Sequence, residues 1–155
     1  MKKSRRLLTV IVLIVLFVVS PSLAQQEKGQ KGSGGWGAGS LYRKLFNPST
    51  VETIRGEVVD MRKVTPAPGM CEGFDLLVKT EKETVTVNLG PVWFIENQDI
   101  KFEPKDKVEV TGSRVSFGGK AQMIASQIKK GDYVLEMRDR FGSPVWSFRQ
   151  KPQGE

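Results

Sequence analysis

A period of two in the hydrophobic pattern predicts that much of this chain folds as short β-strands. The clearest run is TVTVNL at residues 84–89, in which Val85, Val87 and Leu89 are expected to face a core. The polar residues between them, including Asn88, are expected to face solvent. This run is the strongest local signal for secondary structure in the chain.

Further runs extend the prediction to five strands and a closing hairpin. Gly56 lies inside the first strand, where a glycine marks a bulge or a tight bend. Phe74 begins the second strand and belongs to its inward-facing set, and the strands are separated by turns rich in Gly, Pro and charged residues. The predicted strands are residues 51–64, 74–80, 84–89, 107–112 and 121–128, and the hairpin comprises residues 133–138 and 144–148.

The connection between the third and fourth strands carries two adjacent aromatic residues, Trp93 and Phe94. We expect them to lie in an irregular or one-turn helical segment and, with Trp146, to pack in the core or at one end of a barrel. The alternative is a stacking platform for bases or sugars. The second and third strands offer only Phe74 for such a platform, and its alternation places it inside.

The order of these elements predicts the fold class. Three strands, a connection and two more strands is the order of the OB-fold, a five-stranded Greek-key barrel. The sequence therefore predicts an all-β protein, a small OB-like barrel of five to seven strands with a C-terminal hairpin extension. A different small barrel, or an open sandwich with the same strand spacing, is the alternative.

The first 24 residues have the three parts of a secretory signal peptide. Basic residues at positions 2–6 precede an apolar run at 7–19, and Ser22 and Ala24 are the small residues of a cleavage site. The apolar run is shorter than the roughly 20 residues that span a bilayer, which disfavours an uncleaved membrane anchor. We expect cleavage after Ala24 and a periplasmic or secreted protein.

The next segment, residues 25–40, is rich in glycine and has no apolar period, so it is predicted to be a flexible linker. Trp36 within it is expected to dock loosely or to lie in solvent, and the alternative is a recognition segment for a partner. Residues 41–46 have helical spacing and predict one helical turn or an extended lead-in. The predicted domains are a signal peptide at 1–24, a linker and lead-in at 25–50, the barrel at 51–149 and a polar tail at 150–155.

Charge and composition narrow the classes of function. The net charge is +7, but removing the signal cations leaves 20 Lys and Arg against 17 Asp and Glu. That balance is too mild for a protein that binds duplex nucleic acid. The chain has no histidine, which removes the commonest general base and metal ligand. We therefore expect no enzyme activity, no cofactor and no zinc, haem or Ser-His-Asp site.

The remaining candidates are binding residues. Met70 and Cys71 are soft ligands of the kind that Cu(I) prefers, but two are too few, so we expect no metal site and a silent thiol. Arg138 and Arg140 belong to a basic C-terminal cluster, expected to be a solvated turn with weak ion pairs or, alternatively, an anionic contact. The candidate binding surface comprises Trp36, Met70, Cys71, Arg138 and Arg140.

Five stretches in combination resemble a known family. They are TVETIRGEVVDMRK, PAPGM, LGPVWFIENQDIKFEPKDKVEVTGSRV, KKGD and LEMRDRFGSPVW, within residues 42–146. They are similar to the domain shared by the magnetosome proteins MamS and MamX and by small exported bacterial OB-like proteins. The resemblance implies the fold and a location in the envelope. MamX-type proteins also carry haem-attachment CxxCH motifs, which this chain lacks, so electron transfer is not carried over.

These observations predict an exported, non-enzymatic OB-like binding or scaffold module of the bacterial envelope. Its binding surface is expected on the first three strands with the loop at residues 65–73, or on the Gly-rich arm. An envelope protein or an anionic ligand is the expected partner. One alternative is a binder of single-stranded nucleic acid or another polyanion, by fold analogy only. The other is a metal or redox accessory protein that uses Met70 and Cys71.

Overall fold

The computed structural model describes residues 33–148, so the predicted signal peptide, the start of the linker and the polar tail lie outside the described residues. In chain order, the elements are α1 (Leu41–Lys44), a 3-10 helix (Pro48–Thr50), β1 (Val51–Val64), β2 (Gly73–Lys79), β3 (Thr84–Pro91), α2 (Val92–Ile95), β4 (Lys107–Phe117), β5 (Lys120–Lys130), β6 (Tyr133–Glu136) and a second 3-10 helix (Val145–Phe148).

The first five strands close into a ring. β1 pairs with β2 and β4, β2 pairs with β3, and β4 pairs with β5, all antiparallel. β3 and β5 then pair in parallel, with Val87 opposite Met123 and Asn88 opposite Ile124. Each of these strands therefore has two neighbours, while β6 continues the sheet from β5. The prediction of an all-β fold with five to seven strands is confirmed.

The long strand β1 belongs to two parts of the ring. Its first half pairs with β4 and its second half with β2, and the exchange takes place at Glu57. Gly56 lies immediately before this point, where a Cβ atom would approach the Lys79 carbonyl oxygen to 2.4 Å. Gly56 was predicted to mark a bulge or a tight bend, and what the structure shows at Gly56 itself is this close contact with β2. The bulge itself lies just beyond, between Val58 and Asp60.

Alternation correctly identifies the inward side chains but fails at the end of β3. Val85, Val87 and Leu89 are all buried, as predicted. Asn88 is also buried, with 1% of its surface exposed, so the prediction that it faces solvent is wrong. All of residues 87–91 are buried. At this end β3 lies between β2 and β5, and both of its faces are covered.

Of the three aromatic residues predicted to pack together, two are buried and one is partly exposed. The one-turn helix α2 is present, and Phe94 and Trp146 are buried with their ring centroids 4.9 Å apart. Trp93 is 38% exposed, so it is not a core residue, but its ring packs edge-on against the rings of Phe94 and Trp146, as the alternative of packing at one end of the barrel allowed. Phe94 and Ile95 are the buried residues of this helical turn, and Trp93, one residue earlier, is left on its more exposed side.

The predicted closing hairpin is only half formed. Its first arm is β6, but its second arm is the 3-10 helix Val145–Phe148, and the two arms meet at a single bridge between Arg138 and Pro144. Proline lacks the N–H that a continuing ladder requires. Trp146 also points inward, and its indole N–H donates to the Trp36 carbonyl at 2.8 Å. Within residues 33–148, no helix is long and apolar enough to cross a membrane.

Candidate ligand-binding cleft

Three of the predicted binding residues come together where the N-terminal arm, residues 33–40, meets the β1–β2 loop. The Trp36 indole N–H donates to the Cys71 carbonyl at 2.9 Å, and the Cys71 N–H donates to the Gly34 carbonyl at 2.8 Å. Met70 packs against Gly35 so closely that a Cβ there would lie 2.8 Å from Met70 Cγ. The arm and the loop, predicted as alternative binding elements, are therefore one packed unit.

Within this unit Trp36 is a core residue and Cys71 is exposed. Trp36 has 2% of its surface exposed, so the prediction that it docks loosely or lies in solvent is wrong. Gly73 makes room for it, because a Cβ at that position would lie 2.4 Å from the indole ring. The indole therefore fixes the loop to the ring of strands and does not offer a face to a partner.

Arg138 joins two strands. Its Nη1 donates to the carbonyls of Leu89 and Ala125, and its guanidinium lies 5.1 Å from the centre of the Trp146 ring. Only 6% of the residue is exposed, and burial lowers the pKa of its guanidinium to about 10. The predicted solvated turn is therefore wrong for Arg138. A guanidinium used in this way holds the backbone together and is not free to bind a surface anion.

Arg140 is exposed and lies over the Phe141 ring, 4.6 Å from its centre. It shares with Arg138 a groove of about 420 Å³ between the start of β1 and the end of β6. Glu136 and Asp139 line the same groove, and their carboxylates balance the two cations. This groove therefore lacks the excess of positive charge that an anionic ligand requires.

A groove of about 610 Å³ lies where β1 changes partner. Two ion pairs cross its strands: Arg55 Nε is 2.6 Å from Glu109 Oε2, and Lys107 Nζ is 2.7 Å from Glu57 Oε2. Exposed ion pairs of this kind contribute little to stability, and the two charges of each pair offset each other. The groove therefore has the character of an ordinary solvated surface.

A third cavity, of about 260 Å³, lies between the β1–β2 loop and the β4–β5 turn, over β2 and β3. We call it the Asp75 cleft. It is lined by Val64, Thr65, Pro66, Asp75, Asn88, Phe117, Gly118, Lys120 and Gln122. The cleft lies on the sheet face and beside the loop that were predicted to bind, and the buried Asn88 and the half-buried Asp75 both line it.

The floor of the Asp75 cleft is polar. Asn88 Nδ2 donates to Asp75 Oδ1 at 2.9 Å, and the two residues are register partners on β3 and β2. Burial raises the pKa of the Asp75 carboxyl above its usual range. Asn88 Oδ1 is buried and has no hydrogen-bond partner in the described part of the chain. A buried acceptor without a partner costs about 1–3 kcal/mol, so its place in a cavity indicates a ligand or water there.

The wall of the cleft is aromatic, and its rim is a turn that contains two glycines. Phe117 is half buried, and its ring packs edge-on against the buried Tyr42 ring with centroids 5.7 Å apart. The β4–β5 turn contains Gly118 and Gly119, both with positive φ, of 58° and 74°. Glycine adopts that conformation without strain. The exposed Lys120 follows them and places an ammonium group at the rim.

The sequence prediction missed Asp75 and Asn88. Alternation places Asn88 on the solvent face, and it places Asp75 there too, since Asp75 follows the inward-facing Phe74. Their pairing depends on a β2–β3 register that local pattern does not fix. A signal was present, since Asp and Asn are depleted in strands and here occur on two consecutive ones. For the metal hypothesis, residues 33–148 hold no group of three His, Cys, Asp or Glu side chains placed to bind an ion.

Comparison with known protein families identifies a match over the strands of the ring. The model of the MamS/MamX magnetosome protein family matches residues 50–135. The matched span contains β1 to β5 and the whole lining of the Asp75 cleft, whereas Trp36, Arg138 and Trp146 lie outside it. No curated protein matches the chain.

Proposed function

The chain belongs to the MamS/MamX magnetosome protein family, and from this premise we propose that it is an exported, non-enzymatic OB-like binding module that acts at the magnetosome or the adjoining envelope. Its ligand occupies the Asp75 cleft. The single observation that carries this proposal is the buried Asn88 Oδ1, an acceptor without a partner among the described residues, on a side chain that lines the cleft.

The strand order supports the OB-like assignment. The ring β1-β2-β3-β5-β4 is the order of a five-stranded Greek-key barrel, and such barrels bind ligands on the face of strands 2 and 3 between the loops that follow strands 1 and 4. The Asp75 cleft lies at that place. Location alone is an analogy, since one fold serves many functions, and the polar floor is the independent argument for a ligand.

The lining of the cleft supports binding and not catalysis. Among the described residues that line the cleft, Asp75 is the single carboxylate and there is neither histidine nor cysteine. A second carboxylate or a base with a nucleophile within hydrogen-bond reach would be needed for acid–base or covalent chemistry. Asp75 Oδ1 is already engaged by the Asn88 amide.

Export is supported by the signal-peptide pattern of the first 24 residues. Expression of the full sequence in a Gram-negative host, followed by fractionation and N-terminal sequencing, tests it. The expected product is periplasmic and begins at Gln25. A product retained in the membrane fraction with its original N-terminus would contradict cleavage.

The binding proposal is tested with a blocked cleft. Gln122 is half buried in the lining, and Gln122→Trp fills the cavity with an indole. Gln127→Trp is the matched control, because Gln127 is half buried on the same strand but lines the groove of Arg140. Ligand-observed NMR with a small-molecule and glycan extract of the envelope is expected to show ligands that bind the wild type and the control and do not bind Gln122→Trp.

Other outcomes of this experiment discriminate between the hypotheses. Binding that is lost in Gln127→Trp and retained in Gln122→Trp would place the site in the Arg140 groove and favour an anionic ligand. Steeply salt-dependent binding of an oligonucleotide would favour the nucleic-acid alternative. Equal signals for all three proteins would contradict a ligand in the Asp75 cleft.

A further inference from the structure

We propose that the Asp75 cleft holds a single sugar ring of a neutral glycan, an inference that rests on the proposed function and specifies its ligand. The observation that points to this class is the combination of hydrogen-bond acceptors on the floor, an aromatic wall and a mixed-charge rim. Each excludes a different kind of ligand.

The size of the cleft sets the size of the group. Its volume of about 260 Å³ is below the range of roughly 300–1,000 Å³ that is typical of sites for whole drug-sized ligands. It therefore holds one ring-sized unit. The cleft opens between two loops, so the rest of a longer ligand can leave along the surface.

The floor requires hydrogen-bond donors. Asn88 Oδ1 is an acceptor without a partner in residues 33–148, and the second carboxylate oxygen of Asp75 accepts no hydrogen bond from these residues. A pair of hydroxyl groups would satisfy both at once. Vicinal hydroxyls are the groups that a sugar ring presents in such pairs.

The charges around the cleft disfavour an ionic ligand. Lys120 lies at the rim, and Arg62 acts electrostatically on Asp75, so two positive charges offset the attraction of the Asp75 carboxylate for a cation. An anion would meet the Asp75 carboxylate, whose raised pKa already reflects a poorly solvated charge. A neutral ligand meets neither penalty.

The wall requires an apolar face. Phe117 lines the cleft together with Val64 and Pro66, and the contact with Tyr42 holds the Phe117 ring in place. A sugar ring has one face of C–H groups that packs on such a wall, while its edge carries the hydroxyls that reach the floor. Lys120 and Gln122 at the rim supply donors for the remaining ring oxygens.

Two-dimensional amide NMR of the purified exported chain, titrated with maltotriose, cellotriose and chitotriose in turn, tests this inference. At least one of these neutral trisaccharides is expected to shift the side-chain amide signals of Asn88 and Gln122 and to saturate. Phe117→Leu is expected to weaken binding about tenfold, since it removes the aromatic wall. Gln122→Trp abolishes the shifts, and Gln127→Trp retains them.

If Phe117→Leu does not fold, the comparison of the two Trp variants remains decisive. Shifts that survive Gln122→Trp, or no shifts with any of the three sugars, overturn the inference. The extract experiment separates this failure from failure of the proposed function. An extract ligand that binds the cleft while the trisaccharides do not would leave the binding module intact and refute the sugar ligand.

Discussion

Arg138 stands where the β3–β5 ladder ends. The last paired residues are Asn88 and Ile124, and the Arg138 guanidinium donates to the carbonyls of the residues that follow them, Leu89 and Ala125. One side chain thus continues the connection between two strands after they diverge. The Trp146 ring covers the guanidinium, which excludes the water that would otherwise compete for it.

We expect Arg138→Met to lower the free energy of unfolding by about 2–4 kcal/mol, because two buried carbonyls lose their donor. Urea denaturation followed by fluorescence measures the change. Arg140→Met is the matched control, since Arg140 is exposed, and it should change stability by less than about 0.5 kcal/mol. Equal losses in the two variants would show that Arg138 does not hold the strands.

Asp75 gives the stability a pH dependence of known sign. Burial raises its folded-state pKa above the ordinary 3.8, so the folded state binds the proton more tightly than the unfolded state does. The resulting stabilisation is complete below 3.8 and is lost as the pH rises through the folded-state pKa. Asp75→Asn lacks this group.

Denaturation of the wild type and Asp75→Asn at about pH 3 and about pH 7 checks this sign. Relative to the variant, the wild type should be more stable at the lower pH than at the higher one. Glu81→Gln, an exposed carboxyl, is the control. A difference between wild type and Asp75→Asn that does not change with pH would contradict the assignment.

Single residues were predicted well where burial follows residue type and poorly where it does not. Val85, Val87 and Leu89 are apolar and buried, as the alternation required. Arg138 is buried although arginine is mostly exposed in proteins, because its partners lie 49 and 13 residues away in the chain. Separations of that kind leave no local trace in a sequence.

At the scale of elements, the N-terminal arm is part of the folded unit. Ser33 to Ser40 follow the glycine-rich composition of a linker, yet Trp36 is buried and bonded to both the β1–β2 loop and the C-terminal 3-10 helix region. The Ala38 N–H also donates to Ser147 Oγ at 3.1 Å. A glycine-rich composition predicts a flexible chain only when no large apolar side chain of the segment packs in the core.

Trp36→Ala should therefore cost about 3–5 kcal/mol of stability, the usual range for removing a buried Trp. Leu41→Ala is the control, because Leu41 is 80% exposed, and it should leave stability nearly unchanged. Thermal unfolding followed by circular dichroism measures both. A truncated chain that starts at Leu41 would also lose the packing of Trp36. If such a chain no longer bound a partner, the cause could be lost stability, so the result would not by itself locate a recognition element in the arm.

The strands themselves were largely predictable, and their ends were not. β1 has the predicted bounds, whereas β4 and β5 extend beyond the predicted residues to meet at the Gly118–Gly119 turn. The second arm of the predicted hairpin is helical because Pro144 ends the pairing and Trp146 is drawn into the core. The Asp75 cleft could not be predicted, since it forms between elements whose register only the folded chain fixes.

For the whole molecule, the parallel β3–β5 ladder is the point of closure. It holds two residue pairs, whereas every antiparallel junction in the ring holds more. Closure also brings together segments far apart in sequence, such as Val87 and Met123. This junction has few residue pairs, and joining segments so far apart in sequence costs conformational entropy. We therefore expect it to be the part of the ring that opens first.

Native-state hydrogen exchange should reveal this opening. Backbone amides of β3 residues 87–89 and β5 residues 123–125 should exchange through a partial opening of lower free energy than the amides at the β1–β4 pairing, which need global unfolding. In Arg138→Met the opening free energy of the closure amides should fall by more than the global value, because the guanidinium acts at that junction. In Arg140→Met both should stay unchanged. Uniform acceleration of exchange across the sheet in Arg138→Met would show that the ring opens as one cooperative unit, and the closure point would then have no separate stability.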